Sequence, residues 1–254
     1  MWRAVRITIL SVILVIVAGL SWGDRFRTTR WSDSLWIGLF PVNGDDSAAA
    51  ADYMASLGTA DFADIEAFFA REARTFGVAL ERPVRVDLHP PVGERPPQLA
   101  PGAGPVDRLW WSLRLRYYTW RMAGDTLADI RVFVLFHDPD RSGPVPDSHG
   151  LQEGLLGVVY AYATPRMAPQ NNIVITHEAL HALGASDKYD PATRLPLFPS
   201  GYGEPDAEPR YPQRFAEVMA VRRALTPTEA EMPPDLGSVV VGTATAAEIN
   251  WIDD

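Results

Sequence analysis

The chain has 254 residues, 47% of them hydrophobic, and a formal net charge of -9. That length supports a core of ordinary enzyme size without covalent staples, and the absence of cysteine excludes disulfides. The acidic balance, with no basic stripe, argues against nucleic acid as a partner.

The amino terminus carries Arg3 and Arg6 and then an uncharged, largely apolar run over residues 7–22. The run is short for a spanning helix and also resembles a signal-peptide core. An uncleaved signal anchor over 1–23 is favoured over a cleaved signal, and residues 24–33 read as a juxtamembrane linker. The basic lead places the catalytic part outside the cytoplasm, although Arg25, Arg27 and Arg30 nearly balance the count on the far side. Residues 34–254 read as a single domain.

Within it, residues 34–40 form a largely apolar segment expected to be a buried strand. Over 61–76, Phe62, Ile65, Phe69, Ala73 and Phe76 recur at helical spacing, with Asp61 and Asp64 at the start and Gly77 at the stop. Residues 84–88 alternate as a half-exposed strand. A proline-rich loop over 90–105 follows, and Asp107 opens a helix running to about residue 123. Trp110, Trp111, Tyr117, Tyr118 and Trp120 crowd that helix and are expected to pack against a sheet. Residues 129–136 give the strongest strand pattern, and 157–163 another. Asp138 and Asp140 have the rhythm of a calcium loop, but His149 stands where a bidentate glutamate is needed, so a turn is expected. His89, His137 and His149 share no metal-ligand spacing. Asn171 or Asn172 could cap the next helix.

That helix carries the segment HEALHALGASD, from His177 to Asp187. Residues four apart share a helix face, so His177 and His181 can present two imidazoles to one ion. Glu178 follows the first histidine, where its carboxylate can reach a water on that ion. Gly184 is the residue best able to leave the helix in a left-handed conformation and turn the chain back. Asp187 then stands where a third ligand should arrive. Three protein ligands around tetrahedral zinc leave a fourth position for water, which is the catalytic arrangement. Glu217 is the alternative third ligand; the spacing favours Asp187. Downstream, residues 191–212 form a long loop rich in proline and glycine with Tyr202 and Tyr211, read as a wall of the cleft. Thr245 and Glu248 read as a capping box for a carboxy-terminal helix ending near Trp251.

HExxHxxGxx followed by a metal ligand resembles the metzincin signature, and aspartate in the third place is similar to snapalysin-like small neutral proteases. Residues 216–220 (AEVMA) resemble the Met-turn of that family, with Met219 as the apolar floor beneath the metal, although Val221 replaces a tyrosine common there. The resemblance covers about residues 171–220. It implies an α/β (α+β) fold with a mixed twisted sheet, a central zinc-binding helix, the Met-turn and a carboxy-terminal helix. It also implies that strand 157–163 lies at the sheet edge and pairs with an extended peptide; a plain core strand fits the sequence equally well. A cysteine-switch propeptide is excluded by the lack of cysteine.

The expectation is therefore a zinc endopeptidase acting on a peptide or protein substrate. One Zn2+ would be held by His177, His181 and Asp187, with Glu178 as general base. The alternative from another class is a membrane-tethered binding or regulatory protein with structural zinc. Retention of Glu178 argues against it, because a structural site needs no base. Hydrolysis of a non-peptide amide is a third reading that cleft shape would distinguish.

Overall fold

The computed structural model describes residues 30–100, 102–141, 148–151 and 155–252. The basic lead and apolar run lie outside them. Among the described residues, no helix is long and apolar enough to cross a membrane.

The elements follow in order. β1 (Leu35–Asn43), α1 (Ala48–Ser56), α2 (Ala63–Thr75), β2 (Val84–Leu88), α3 (Pro105–Ala123) and β3 (Ile130–His137) make the first half. β4 (His149–Leu151), β5 (Leu156–Tyr162) and the long helix α4 (Ala168–Leu183) come next. The carboxy-terminal third has short strands β6 (Ala216–Glu217), β7 (Arg223–Thr226), β8 (Glu229–Glu231) and β9 (Val239–Val240), then α5 (Thr243–Glu248).

Five strands form one mixed sheet in the order β2-β1-β3-β5-β4. The first four in that order run parallel, and β4 runs antiparallel to β5. Parallel neighbours need crossover connections; α1 and α2 lie between β1 and β2, and α3 between β2 and β3, whereas β3 reaches β5 by way of β4. Strands covered on both faces read as near-continuous apolar runs, which is why residues 129–136 gave so strong a signal. Alternate side chains of β3 serve the two faces. Val132, Val134 and Phe136 pack with Ile37, Leu39 and the α2 and α4 side; Phe133 and Leu135 pack with Phe40, Val42 and the inner side of α3. Trp31, at the end of the expected linker, is buried, and its indole N–H donates to the Ile249 carbonyl at 2.7 Å.

Several expectations are corrected. Helix α1 was not anticipated, because AAAADYMAS has no apolar periodicity; it arises from alanine propensity and the Ser47 cap, whose Oγ accepts from Ala50 N at 3.1 Å. Helix α4 starts at Ala168 rather than at Asn171 or Asn172, with Pro169 in its first turn, where a missing N–H costs nothing. The two asparagines make tertiary bonds instead. Asn171 exchanges two hydrogen bonds with the Tyr162 backbone, and Asn172 Nδ2 donates to Asp61 O and Asp64 Oδ1. Strand β5 is at the edge only in part: β4 pairs outside Leu156–Val158 and ends the strand order there, while no described strand pairs beyond Val159–Tyr162. Thr245 and Glu248 do not form a capping box. Gly242 precedes α5, which ends before Trp251, and both side chains reach back to the loops around α4.

Helix α3 also departs from expectation. Trp111 and Tyr118 pack inward, and their polar atoms donate to Pro97 O at 2.7 Å and Glu94 O at 2.5 Å. Trp110, Tyr117 and Trp120 are 63%, 61% and 69% exposed.

Candidate metal centre

Helix α4 is apolar on most of its surface and lies between the sheet and the carboxy-terminal loops, so His177 and Glu178 are buried at 5% and 3% exposure. A substituent on Gly157 of β5 would come within 3.6 Å of Glu178 Cβ, so the helix passes close to the sheet at the motif. The histidine rings stand edge to face, 4.5 Å between centroids.

Gly184 ends the helix with φ of 108°, as the sequence required. Its N–H donates to His181 O at 3.0 Å, and Ala185 N donates to Leu180 O at 3.0 Å, satisfying carbonyls of the last turn. Only glycine adopts that φ without strain. Gly184→Ala is expected to cost roughly 1–3 kcal/mol, seen as a lower urea midpoint; an unchanged midpoint would contradict this role.

The turn returns Asp187 to the helix. Its Oδ1 lies 3.0 Å from His181 Nε2 and 3.3 Å from His177 Nε2. His177, His181 and Asp187 each offer one donor atom, all within 4.8 Å of one another, and are the group among the described residues that could hold a metal ion. The loop is braced by residues the sequence reading missed. Lys188 Nζ, nearly buried, contacts both Glu248 carboxylate oxygens at 2.8 and 2.7 Å, and Ser186 N and Oγ donate to the same carboxylate. Sixty residues separate Lys188 from Glu248, so no local pattern could have revealed the pair.

The other ring nitrogens define the chemistry. His177 Nδ1 lies 3.1 Å from Val218 O, and His181 Nδ1 lies 2.8 Å from Ala185 O. A carbonyl only accepts, so both Nδ1 atoms carry hydrogen and donate. In the neutral rings both Nε2 atoms are then acceptors, facing a carboxylate oxygen that also accepts. Asp187 Oδ1 thus faces the two nitrogens at 3.0 and 3.3 Å, an arrangement that a proton or a cation between them satisfies. Two imidazoles, each oriented by a backbone carbonyl, and one carboxylate match the donor chemistry of a zinc site.

Charge in the cluster is tuned accordingly. Burial alone would push the His181 pKa down. The hydrogen bond to Asp187, the nearby Glu178 and Asp187 charges and the Ala185 carbonyl outweigh it and hold the pKa above the usual 6.5. Burial opposes ionisation of Asp187, but the close His177 and His181 rings outweigh it and hold its carboxyl far below the ordinary range. The cluster opens to solvent on one side: the Asp187 side chain is 44% exposed, against 6% for His177.

Met219 is fully buried in a tight turn after β6, where Ala220 N and Val221 N both donate to Glu217 O at 3.0 and 3.1 Å. This turn touches the motif twice. Val218 O orients His177, and Met219 O accepts from Lys188 N at 3.0 Å, next to Asp187. Glu217, the alternative ligand, is outside the donor cluster. Its carboxylate accepts from Met219 N at 2.6 Å, Ala220 N at 3.1 Å, Gly242 N at 3.1 Å and Thr245 Oγ1 at 2.7 Å. Four donors fill both oxygens, so Glu217 ties the turn to α5.

Other candidates stand apart from the cluster. His89 stacks flat on Phe40 at 4.4 Å, and Asp138 Oδ1 accepts from Asp140 N at 2.9 Å at the start of a segment that lies mostly outside the described residues. In the long loop, Tyr202 and Tyr211 join through their hydroxyls at 2.9 Å.

No family model and no curated protein matches the chain. Among solved structures it is similar to wild-type OgpA from Akkermansia muciniphila, with a TM-score of 0.44 and 13% identity over 84% of this chain and 59% of that one. It is also similar to catalytically inactive OgpA from the same organism in complex with an O-glycopeptide (glycodrosocin) substrate, with a TM-score of 0.41 and 10% identity over 85% and 58%. The chain thus spans about three fifths of the OgpA chains.

Proposed function

We propose that the protein is a zinc-dependent endopeptidase of metzincin type. The observation that carries this reading is the convergence of His177 Nε2, His181 Nε2 and Asp187 Oδ1 at 3.0–3.3 Å, with both Nδ1 atoms turned to carbonyls. The open side of the cluster favours a catalytic over a closed structural site, since a structural zinc is enclosed by four protein ligands.

His177, His181 and Asp187 would hold the ion. When bound, zinc supplies Lewis acidity, lowering the pKa of a water and polarising the scissile carbonyl. Glu178 takes the proton of the attacking water and passes it to the leaving amine, a role suited to a nearly buried carboxylate beside the ligands. Lys188, Glu248 and Ser186 hold the loop that carries Asp187. β4 ends the strand order of the sheet, and an extended peptide adding to such an end strand pairs through its backbone, which favours peptides over small amides. Residues 1–23 would anchor the enzyme, with the catalytic part outside the cytoplasm.

Cleavage of an unfolded protein should stop on chelation and return with zinc. Cleavage indifferent to chelator would overturn the proposal.

Metal affinity should also depend on pH. Because the folded pKa of His181 lies above 6.5, its protonated form stabilises the metal-free protein below about that pH. This stabilisation is lost as pH rises through the folded pKa. Zinc needs the neutral ring, so affinity should fall about tenfold per pH unit below the folded pKa and level off above it. Competition with a chromophoric chelator between about pH 6 and 8 reads this; constant affinity across that range would contradict it.

A further inference from the structure

We propose that the outer face of α3 docks on an anionic membrane surface, giving the protein a second, peripheral membrane contact besides the expected anchor. Val106, Trp110, Leu113, Tyr117 and Trp120 repeat at steps of four and three, so they form one stripe along the helix. All five are exposed, from 40% at Leu113 to 69% at Trp120. Of the ten large apolar side chains that are exposed among the described residues, seven fall between residues 106 and 127. Nothing in the described fold covers the stripe, whereas the opposite face (Trp111, Leu115, Tyr118) is in the core.

Charge identifies the occupant. Helix α3 carries Arg108, Arg114, Arg116 and Arg121 against the single acid Asp107, and with Glu94 paired to Arg121 the face keeps a net of about +2 in a chain whose total is -9. At 100° per residue, Arg114 and Arg121 flank one side of the stripe and Arg116 the other. Beside the first pair lies an open cavity of about 290 Å3 lined by Arg95, Arg114, Tyr117 and Arg121, with Glu94 paired to Arg121. Aromatic residues with apolar rings and polar tips, bordered by arginines whose stems can lie along acyl chains, match the headgroup boundary of a bilayer. A protein partner would fit the apolar stripe, but the cationic border on both sides favours a sheet of anionic phosphates.

The test uses the full chain in vesicles and its lack of native cysteine. Leu113→Cys, Tyr117→Cys and the control Asp206→Cys each take one spin label. Accessibility to oxygen and to a water-soluble nickel complex then gives label depth. In vesicles of phosphatidylcholine with one third phosphatidylglycerol, labels at 113 and 117 should be shielded from nickel and reached by oxygen, while the label at 206 stays aqueous. In phosphatidylcholine alone the shielding should largely vanish. Arg114→Gln should lower the shielded-to-aqueous ratio roughly fivefold. Aqueous labels at 113 and 117 in anionic vesicles would overturn the proposal. So would shielding indifferent to lipid charge, which would point to cover by the amino-terminal segment or another protein surface. Spin–spin broadening that disappears on dilution with unlabelled chain would assign the face to a second copy instead.

Discussion

Glu178→Gln should leave one bound zinc per chain and reduce cleavage by a factor on the order of 10²–10⁴, the usual contribution of a positioned general base. Glutamine has nearly the same shape, so the nearly buried site keeps its packing, and neither histidine loses its carbonyl partner. What disappears is the carboxylate that receives the proton. Zinc content by elemental analysis and kcat on an unfolded protein read the two effects separately. Wild-type turnover in Glu178→Gln would remove this residue from the chemistry and favour a tethered binding protein with structural zinc.

The second large effect separates the two acids competing for the third ligand position. Asp187→Ala removes one of three donors and should weaken zinc binding by more than the roughly 10–100-fold lost with an outer-shell partner. Its side chain is half-exposed, so folding should change little. Glu217→Ala should do the reverse. It leaves Met219 N, Gly242 N and Thr245 Oγ1 without their shared acceptor, while Ala220 N keeps the Glu217 backbone carbonyl. Stranding buried donors at about 1–3 kcal/mol each, with some relaxation, gives a loss of roughly 3–5 kcal/mol. That is a large part of the 5–15 kcal/mol typical of a folded domain. Denaturant midpoints and zinc titrations on both variants, with Glu217→Gln as the milder control, should give opposite orders. Zinc binding lost in Glu217→Gln but kept in Asp187→Ala would make Glu217 the ligand.

The grouping of His177, His181 and Asp187 was legible in the sequence because its geometry is local. His177, Glu178 and His181 are fixed by one helix, and Gly184 and Asp187 by the turn that must follow it. The buried strands were legible for the same reason: β1, β3 and β5 each carry their apolar signal within a few residues. What sequence could not give was long-range. The Lys188–Glu248 pair and the bond from Thr245 to Glu217 join segments separated by 60 and 28 residues. Glu248 and Thr245 therefore read as a local capping box when each serves a distant partner. The outer aromatics of α3 mislead in the opposite sense. Trp110, Tyr117 and Trp120 have core composition but lie on the face turned from the sheet, and only the packing of Trp111 and Tyr118 shows which face that is. The edge position passed in part from β5 to β4 because three residues with no strand pattern of their own pair beside it.

Zinc K-edge absorption of the purified full chain tests the central claim most directly. The expected spectrum shows one zinc per chain with two imidazole nitrogens and oxygen donors at about 2.0–2.2 Å, and the imidazole scattering should fall in His181→Ala. A chain that purifies without zinc and does not take it up at neutral pH, or whose zinc spectrum is unchanged in His181→Ala, would contradict it.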